Sequence, residues 1–307
     1  MRIGFIKPNY PGEKRVGLLP ADMIEGIEYV VERGFGSELG IADKSYEERG
    51  AKILSREDVY DFCDVIFSLK LIQPDDYPHL RSKQTIIGWT HPSGSGRTFM
   101  ETVAHPLDLT IVDLDNVYPS LYRAGQKKNI NWLSRNFLRK NSFYAGFAAV
   151  QHSLMCYGLI PDSGTVVAIL SPGNVSQGAA AAFYGFNADV RIFYRNTMSE
   201  FLESIQSFDV IVNGIELDAG GDHLISEHVL RKTKKSVFII DAAADAGGVI
   251  EGIGFTDHSQ PIRFLHDRAY YCINNAPTFY HRTVSAYLSA ALAESFFSQL
   301  DNNSLDI

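Results

Sequence analysis

Residues 166–196 read VVAILSPGNVSQGAAAAFYGFNADVRIFYRN. An apolar run opens the stretch, a short turn of Ser, Pro, Gly and Asn follows, then the small-residue run GAAAA and a second strand-like run, VRIFY. This is the layout of a nucleotide-binding βαβ unit, whose first turn brings backbone N–H groups to a phosphate at a helix N-terminus. Such a turn usually carries three glycines; here the three positions hold Ser171, Gly173 and Ser176. Gly173 is the middle one, where the backbone comes closest to a ligand, and the serines are small and carry hydroxyls. The candidate cofactor-binding turn is Ser171, Pro172, Gly173, Asn174, Val175 and Ser176. An ordinary βα turn before a small-residue helix has the same spacing, because short motifs match by chance.

The second strand sharpens the choice. An NAD site places a carboxylate there, to accept from the ribose 2′-hydroxyl, and that carboxylate repels a 2′-phosphate. Here Tyr194 and Arg195 stand at the strand end. Arginine accommodates a 2′-phosphate, so the cofactor expected is NADP(H). A solvated surface arginine is the alternative for Arg195.

Outward from this unit, apolar runs alternate with polar or helix-like segments. RIGFI, SELGI, AKIL, DVIFSLKL, QTIIGW and LTIVDLD precede it as strands, and DVIVNGI, SVFIIDAA and AYYCINN follow VRIFY. ADMIEGIEYVVERG has helical spacing and stops at Gly34. FYAGFAAVQHSLMCYGLI (143–160) predicts a long helix, apolar nearly all round and therefore buried. TVSAYLSAALAESFFSQL predicts an amphipathic last helix that folds back onto the first domain. The fold class expected is α/β, with two Rossmann-like domains, parallel sheets and the cofactor in the cleft between them. The expected substrate/catalytic domain is 1–140 plus the C-terminal helix, about 284–307. The expected NADP-binding domain is 141–283.

Bulk properties narrow the function. A chain of 307 residues has room for two domains. A net charge of −8 argues against a nucleic-acid partner. The apolar runs are all too short to span a membrane. The three cysteines form no metal-spaced or disulfide framework, which suits a reducing compartment, so a cytoplasmic protein is expected. No metal is expected, since no His/Asp/Glu set has ligand spacing.

Four stretches carry a family resemblance. IGFIKPNYPGEKRVGLLP, with Arg15 to Pro20 at its end, resembles the start of the alanine dehydrogenase, transhydrogenase and saccharopine dehydrogenase superfamily. FYAGFAAV (143–150) resembles a helix of lysine-forming saccharopine dehydrogenases, and IDAAADAGGVIEG (240–252) an alanine dehydrogenase segment. NNAPTFYHRTVS keeps an Asn-x-Pro-x4-Arg-Thr pattern at Asn275, Pro277, Arg282 and Thr283. Length and detail are most similar to the opine-type branch that makes carboxyethyl amino acids. This implies an NADPH-dependent oxidoreductase that condenses pyruvate with the side-chain amine of L-ornithine or lysine, and a homo-oligomer. A saccharopine-type dehydrogenase using lysine and 2-oxoglutarate, or a non-catalytic NADP-binding regulator, stays open.

The resemblance also implies roles. Arg15 matches the arginine that holds the oxo acid, a task its fork suits. Lys70, after an apolar strand, matches a lysine of substrate binding and proton transfer, and His91 the acid/base. Asp245 matches the Asp before paired glycines, with His91, the substrate amine or ribose as possible partners. Asn213 and Gly214 end a strand expected near the nicotinamide ribose. Asp113 and Asp115 fall where acidic residues meet the amine. Each also has a plain structural role open to it: a loop arginine, a strand-capping lysine, a hydrogen-bonded loop histidine, a turn.

Overall fold

The computed structural model describes residues 1–114, 117–217 and 222–300. The chain divides into two compact units, Met1–Leu138 with His281–Ile307, and Arg139–Tyr280. Both are α/β units with mostly parallel sheets.

The first unit holds an eight-stranded sheet, ordered β3-β2-β1-β4-β5-β6-β7-β8. Its strands are β1 (Arg2–Phe5), β2 (Glu28–Glu32), β3 (Lys52–Leu54), β4 (Val65–Ser68), β5 (Thr85–Gly88), β6 (Thr110–Asp113), β7 (Ser120–Arg123) and β8 (Gln126–Asn129). The first six are parallel, and β7 and β8 add an antiparallel hairpin. β4 is buried along its whole length and β5 along all but its first residue, so both read as near-continuous apolar runs. The exposed edge strand β8 is QKKN, whose lysines deter further pairing. Helices α1 (Asp43–Glu47), α2 (Arg56–Phe62) and α3 (Arg97–Phe99) lie between strands. On one face Val59, Ile66, Ile86 and Phe99 join one apolar cluster. On the other, Phe297 meets the rings of Phe5 and Phe67 at 5.7 and 6.0 Å.

Two expectations fail in this unit. The helix read over 21–34 is a single 3-10 turn, Pro20–Asp22, followed by β2. Gly26 at φ +88° breaks the helix. Tyr29, Val30 and Val31 are aromatic and β-branched and are buried in the sheet, where such residues pack best. SELGI is a 3-10 turn at Ser37–Leu39, not a strand.

The second unit holds a six-stranded sheet, ordered β10-β9-β11-β12-β14-β13. Its strands are β9 (Val166–Leu170), β10 (Asp189–Phe193), β11 (Val210–Asn213), β12 (Phe238–Asp241), β13 (Arg263–Leu265) and β14 (Arg268–Tyr271). Only the edge strand β13 is antiparallel. Side chains alternate between two cores: Val167 and Ile169 face one apolar cluster, Ala168 and Leu170 the other. The helices are α4 (Arg139–Tyr157), α5 (Asn174–Tyr184), α6 (Met198–Glu203) and α7 (Glu227–Leu230).

Helix α4 begins and ends earlier than expected and is not buried all round: Met155 is 75% exposed. Its buried face is made of small residues, among them Gly146, Ala148 and Ala149, because α5 crosses it closely. The last helix, α8 (His281–Ser295), ends before FSQ, a separate 3-10 turn. It belongs to the first unit. Ser285 and Ser289 accept the N–H groups of Val16 and Leu19 at 3.0 and 2.7 Å.

Candidate active site

In the first unit the chemistry-bearing residues gather at the carboxyl edge of the sheet. β1 leads to Arg15, β4 to Lys70, β5 to His91, and β6 ends at Asp113. Register levels these exits, with Ser68 beside Gly88 and Gly88 beside Asp113. Gly88 is needed there: a Cβ would stand 1.7 Å from the Ser68 carbonyl.

Arg15 is buried, and Glu13 takes the Nε–Nη2 edge of its guanidinium at 2.9 and 2.6 Å. A bidentate pair of this kind fixes the plane of the fork. Burial pushes the Glu13 carboxyl up, but the charge and hydrogen bonds of Arg15, aided by the charge of Lys70, hold it at about 2. Glu13 thus links the two cationic candidates. The Lys70 ammonium also stands over the Tyr10 ring, 5.4 Å from its centroid, and the Ser68 hydroxyl donates to the Lys70 carbonyl at 2.6 Å.

His91 is half-buried and sits at φ +43°, a left-handed conformation uncommon outside glycine. Asp113 holds it there. Its Oδ1 accepts from the Thr90 N–H at 3.1 Å, the Thr90 hydroxyl at 3.2 Å and the His91 N–H at 3.4 Å. The His91 carbonyl in turn accepts from Gly94 and Gly96. Asp113, expected near an amine substrate, is therefore a fully buried anchor of the His91 loop. Asp115 lies outside the described residues.

The second unit carries the glycine-poor turn. Ser171 takes φ +82°, the conformation that glycine would supply, and its Oγ accepts the Gly173 N–H at 3.1 Å. Gly173 is the N-cap of α5, with no side chain capping the helix. The first-turn N–H groups have no intrahelical partner and point out of the helix end, where the dipole favours an anion. A Cβ on Gly173 would meet nothing closer than the Ser171 Oγ, at 3.3 Å, so the space over it is open. Ser176 is fully buried, and its hydroxyl donates to the Leu170 carbonyl at 2.8 Å. It faces Gly214, where a Cβ would fall 2.0 Å from the Ser176 Oγ. Strand order reverses between β9 and β11, and this turn and Gly214 stand at that reversal, where open α/β sheets bind ligands. Tyr194 and Arg195 follow β10 and are exposed, and among the described residues Arg195 has no ion-pair partner.

Asn213 and Asp245 are engaged with the protein. The Asn213 amide bridges Ile215 and Asp241. The Asp245 carboxylate accepts from the backbone of Leu217 and Val249. Asp245 belongs to the second unit, Arg15, Lys70 and His91 to the first.

Two residues that the sequence hid organise these loops. Glu13 is one; its only signal is a carboxylate two places before Arg15. Asp241 is the other: its Oδ2 accepts the Asp245 and Ala246 N–H groups and the Cys272 thiol, and burial raises its carboxyl above the usual range. Among the described residues no His, Cys, Asp and Glu group is arranged to hold a metal ion.

Residues 5–126 match the alanine dehydrogenase/PNT N-terminal domain, and residues 164–306 the C-terminal domain. The N(5)-(carboxyethyl)ornithine synthase of Clostridium botulinum is 46% identical over 97% of this chain and 95% of its own. That of Lactococcus lactis subsp. lactis (strain IL1403) is 46% identical over 97% of both. The chain belongs to the N(5)-(carboxyethyl)ornithine synthase family, a branch of the alanine dehydrogenase/PNT proteins. It is an oxidoreductase with dehydrogenase-type units. Among solved structures, an L-alanine dehydrogenase superposes with a TM-score of 0.78 at 20% identity, covering 99% of this chain and 91% of that one. A transhydrogenase from Sinorhizobium meliloti gives 0.75 at 19% identity, covering 95% and 92%. At that identity these two speak for the fold. Among the described residues no helix is long and apolar enough to cross a membrane.

Proposed function

We propose that the protein joins pyruvate to the side-chain amine of L-ornithine and reduces the product with NADPH, giving N5-(1-carboxyethyl)ornithine. The observation that carries this is full-length identity of 46% to two synthases named for that product. The first unit is then the substrate and catalytic part, the second the NADP-binding part.

In this reading Arg15, held flat by Glu13, binds the pyruvate carboxylate. Lys70, near Glu13 and above Tyr10, steadies the keto oxygen. The uncharged amine nitrogen adds to the keto carbon, and the proton it gives up ends on the oxygen. His91 then protonates that hydroxyl, which leaves as water, and a carbon–nitrogen double bond remains with its proton and positive charge on nitrogen. A reduced nicotinamide bound to the second unit would supply the hydride that this carbon needs to become that of a secondary amine. The open N-terminus of α5 and its first turn, Ser171–Ser176, hold the pyrophosphate, with Gly173 and Gly214 keeping side chains out of its way. Asn213 and Gly214 border the nicotinamide ribose. Asp245 orients the substrate end of the second unit's loop. Arg195, with Tyr194 beside it, would hold the 2′-phosphate.

The test is absorbance at the nicotinamide band with purified protein, pairing pyruvate or 2-oxoglutarate with ornithine, lysine or ammonia. NADPH oxidation with pyruvate plus ornithine is the expected result. Oxidation with 2-oxoglutarate plus lysine moves the protein to the saccharopine reaction. NADPH binding with no turnover by any pair favours a regulator. Arg195→Ala is expected to cut the preference for NADPH over NADH by about tenfold or more, the loss of one charge-assisted hydrogen bond.

A further inference from the structure

Pyruvate occupies little space, and a diamino acid brings two charges of its own besides the reacting amine. Those charges need partners. A cavity of about 540 Å³ opens in the first unit, within the ~300–1,000 Å³ usual for ligand pockets. It is lined from the loop after β1, the end of β2 and its following turn, the start of α2, and the turn after β4. Strand order in this sheet reverses between β1 and β4, the place where open α/β sheets take their ligands. Arg15 and Glu13 are part of its wall.

The cavity floor is locked. Arg56 forks onto both oxygens of Asp76 at 2.6 and 2.7 Å and donates to Glu32 at 2.7 Å and to the Lys7 carbonyl at 2.9 Å. Asp76 and Glu32 are buried, and one guanidinium held between two carboxylates keeps the floor in shape and leaves it one negative charge in excess. Around the floor the groups are looser. The Lys7 ammonium stands 3.7 Å from Glu32 with 43% of its side chain exposed. Glu57 and Asp75 are exposed carboxylates on the same wall. An apolar ligand would strip water from these charges with no return, whereas a zwitterion answers both signs. Carboxylates outnumber cations along the wall, which favours a ligand with one extra positive charge over a dicarboxylate.

We propose that this cavity is the subsite for the amino-acid end of the amine substrate: Lys7 receives its α-carboxylate, and Glu57 and Asp75 receive its α-ammonium. The diamino acid then lies along the cavity with its side-chain amine towards Arg15. This rests on the placement of the oxo acid at Arg15.

Steady-state kinetics on the full chain, varying ornithine and pyruvate separately, test it. Lys7→Met, and separately the pair Glu57→Gln with Asp75→Asn, are expected to raise KM for ornithine about tenfold or more, with KM for pyruvate within about twofold. Lys7→Arg is expected to keep most of the ornithine affinity. Unchanged KM for ornithine in both variants, or KM values for both substrates rising together, would overturn the subsite. If the wild type turns over no pyruvate–ornithine mixture, the proposed reaction fails, and calorimetric titration with ornithine in the presence of NADPH decides the subsite alone. Binding lost in Lys7→Met supports it; no binding to the wild type overturns it.

Discussion

Glu13 is an ionised carboxylate with almost no contact with water, which is tenable only because Arg15 is beside it. Its folded value of about 2 lies below the ordinary 4.5. A depressed folded value contributes stability that is complete above pH 4.5 and is lost as pH falls towards 2. The difference corresponds to about 3 kcal/mol, at about 1.4 kcal/mol per pH unit. Glu13→Gln leaves Arg15 buried with a weaker partner and is expected to cost about 3–5 kcal/mol at pH 7. Denaturant unfolding should show the gap between wild type and variant closing between pH 4.5 and pH 2. A gap that stays constant over that range would mean that the pair does not set the acid limb. The positions of Lys70 and His91 just past strand ends were legible in the sequence, because apolar runs followed by a polar residue announce the edge of a sheet. Their partners were not. Glu13–Arg15 is a pair within an irregular loop, and Asp113 reaches Thr90 and His91 from a neighbouring strand. Neither contact has a period that a linear sequence can display.

Two glycines decide how α4 and α5 cross. A Cβ on Gly146 would stand 1.8 Å from the Val175 carbonyl, and one on Gly178 1.8 Å from the Phe143 carbonyl. Both obstacles are helix backbone, so neither can swing aside. Gly146→Ala and Gly178→Ala are each expected to force the helices apart and cost about 1–3 kcal/mol or more, despite the gain in helix propensity. Scanning calorimetry reads the cost. Because α5 opens at the Ser171–Ser176 turn, NADPH titration should show weakened binding for Gly178→Ala in the same preparation. A Tm equal to that of the wild type would show that the helices can separate freely. The small-residue run after Gly178 made this packing readable, as the βα turn made β9 and α5 readable. The apolar residues of β2 fit a helical spacing as well as a strand. What decided it was the Gly26 break and the pairing of Val30 and Val31 with β3 and β1, which only the folded sheet provides.

The two units differ in how the chain builds them. The second is one continuous segment, Arg139–Tyr280, with an apolar cluster on each face of its sheet. The first is completed only by the end of the chain. Helix α8 accepts the Val16 and Leu19 N–H groups on its serines, Arg282 donates to the Leu39 carbonyl at 2.8 Å, and Tyr287 to the Phe137 carbonyl at 3.0 Å. Leu288, Leu292 and Phe296 are fully buried and Phe297 nearly so. Removing them strips apolar burial worth on the order of 10 kcal/mol, at about 1.5–3 kcal/mol per side chain. That matches the entire stability of a typical domain, about 5–15 kcal/mol. Residues 139–280 expressed alone are therefore expected to unfold cooperatively, whereas a chain ending at Tyr280 should keep only the second unit folded. Calorimetry of that truncated chain should show one transition, at the temperature of the isolated 139–280 segment. A second transition would mean that the sheet of the first unit closes its core without α8, and that Arg15 does not depend on the last helix for its place.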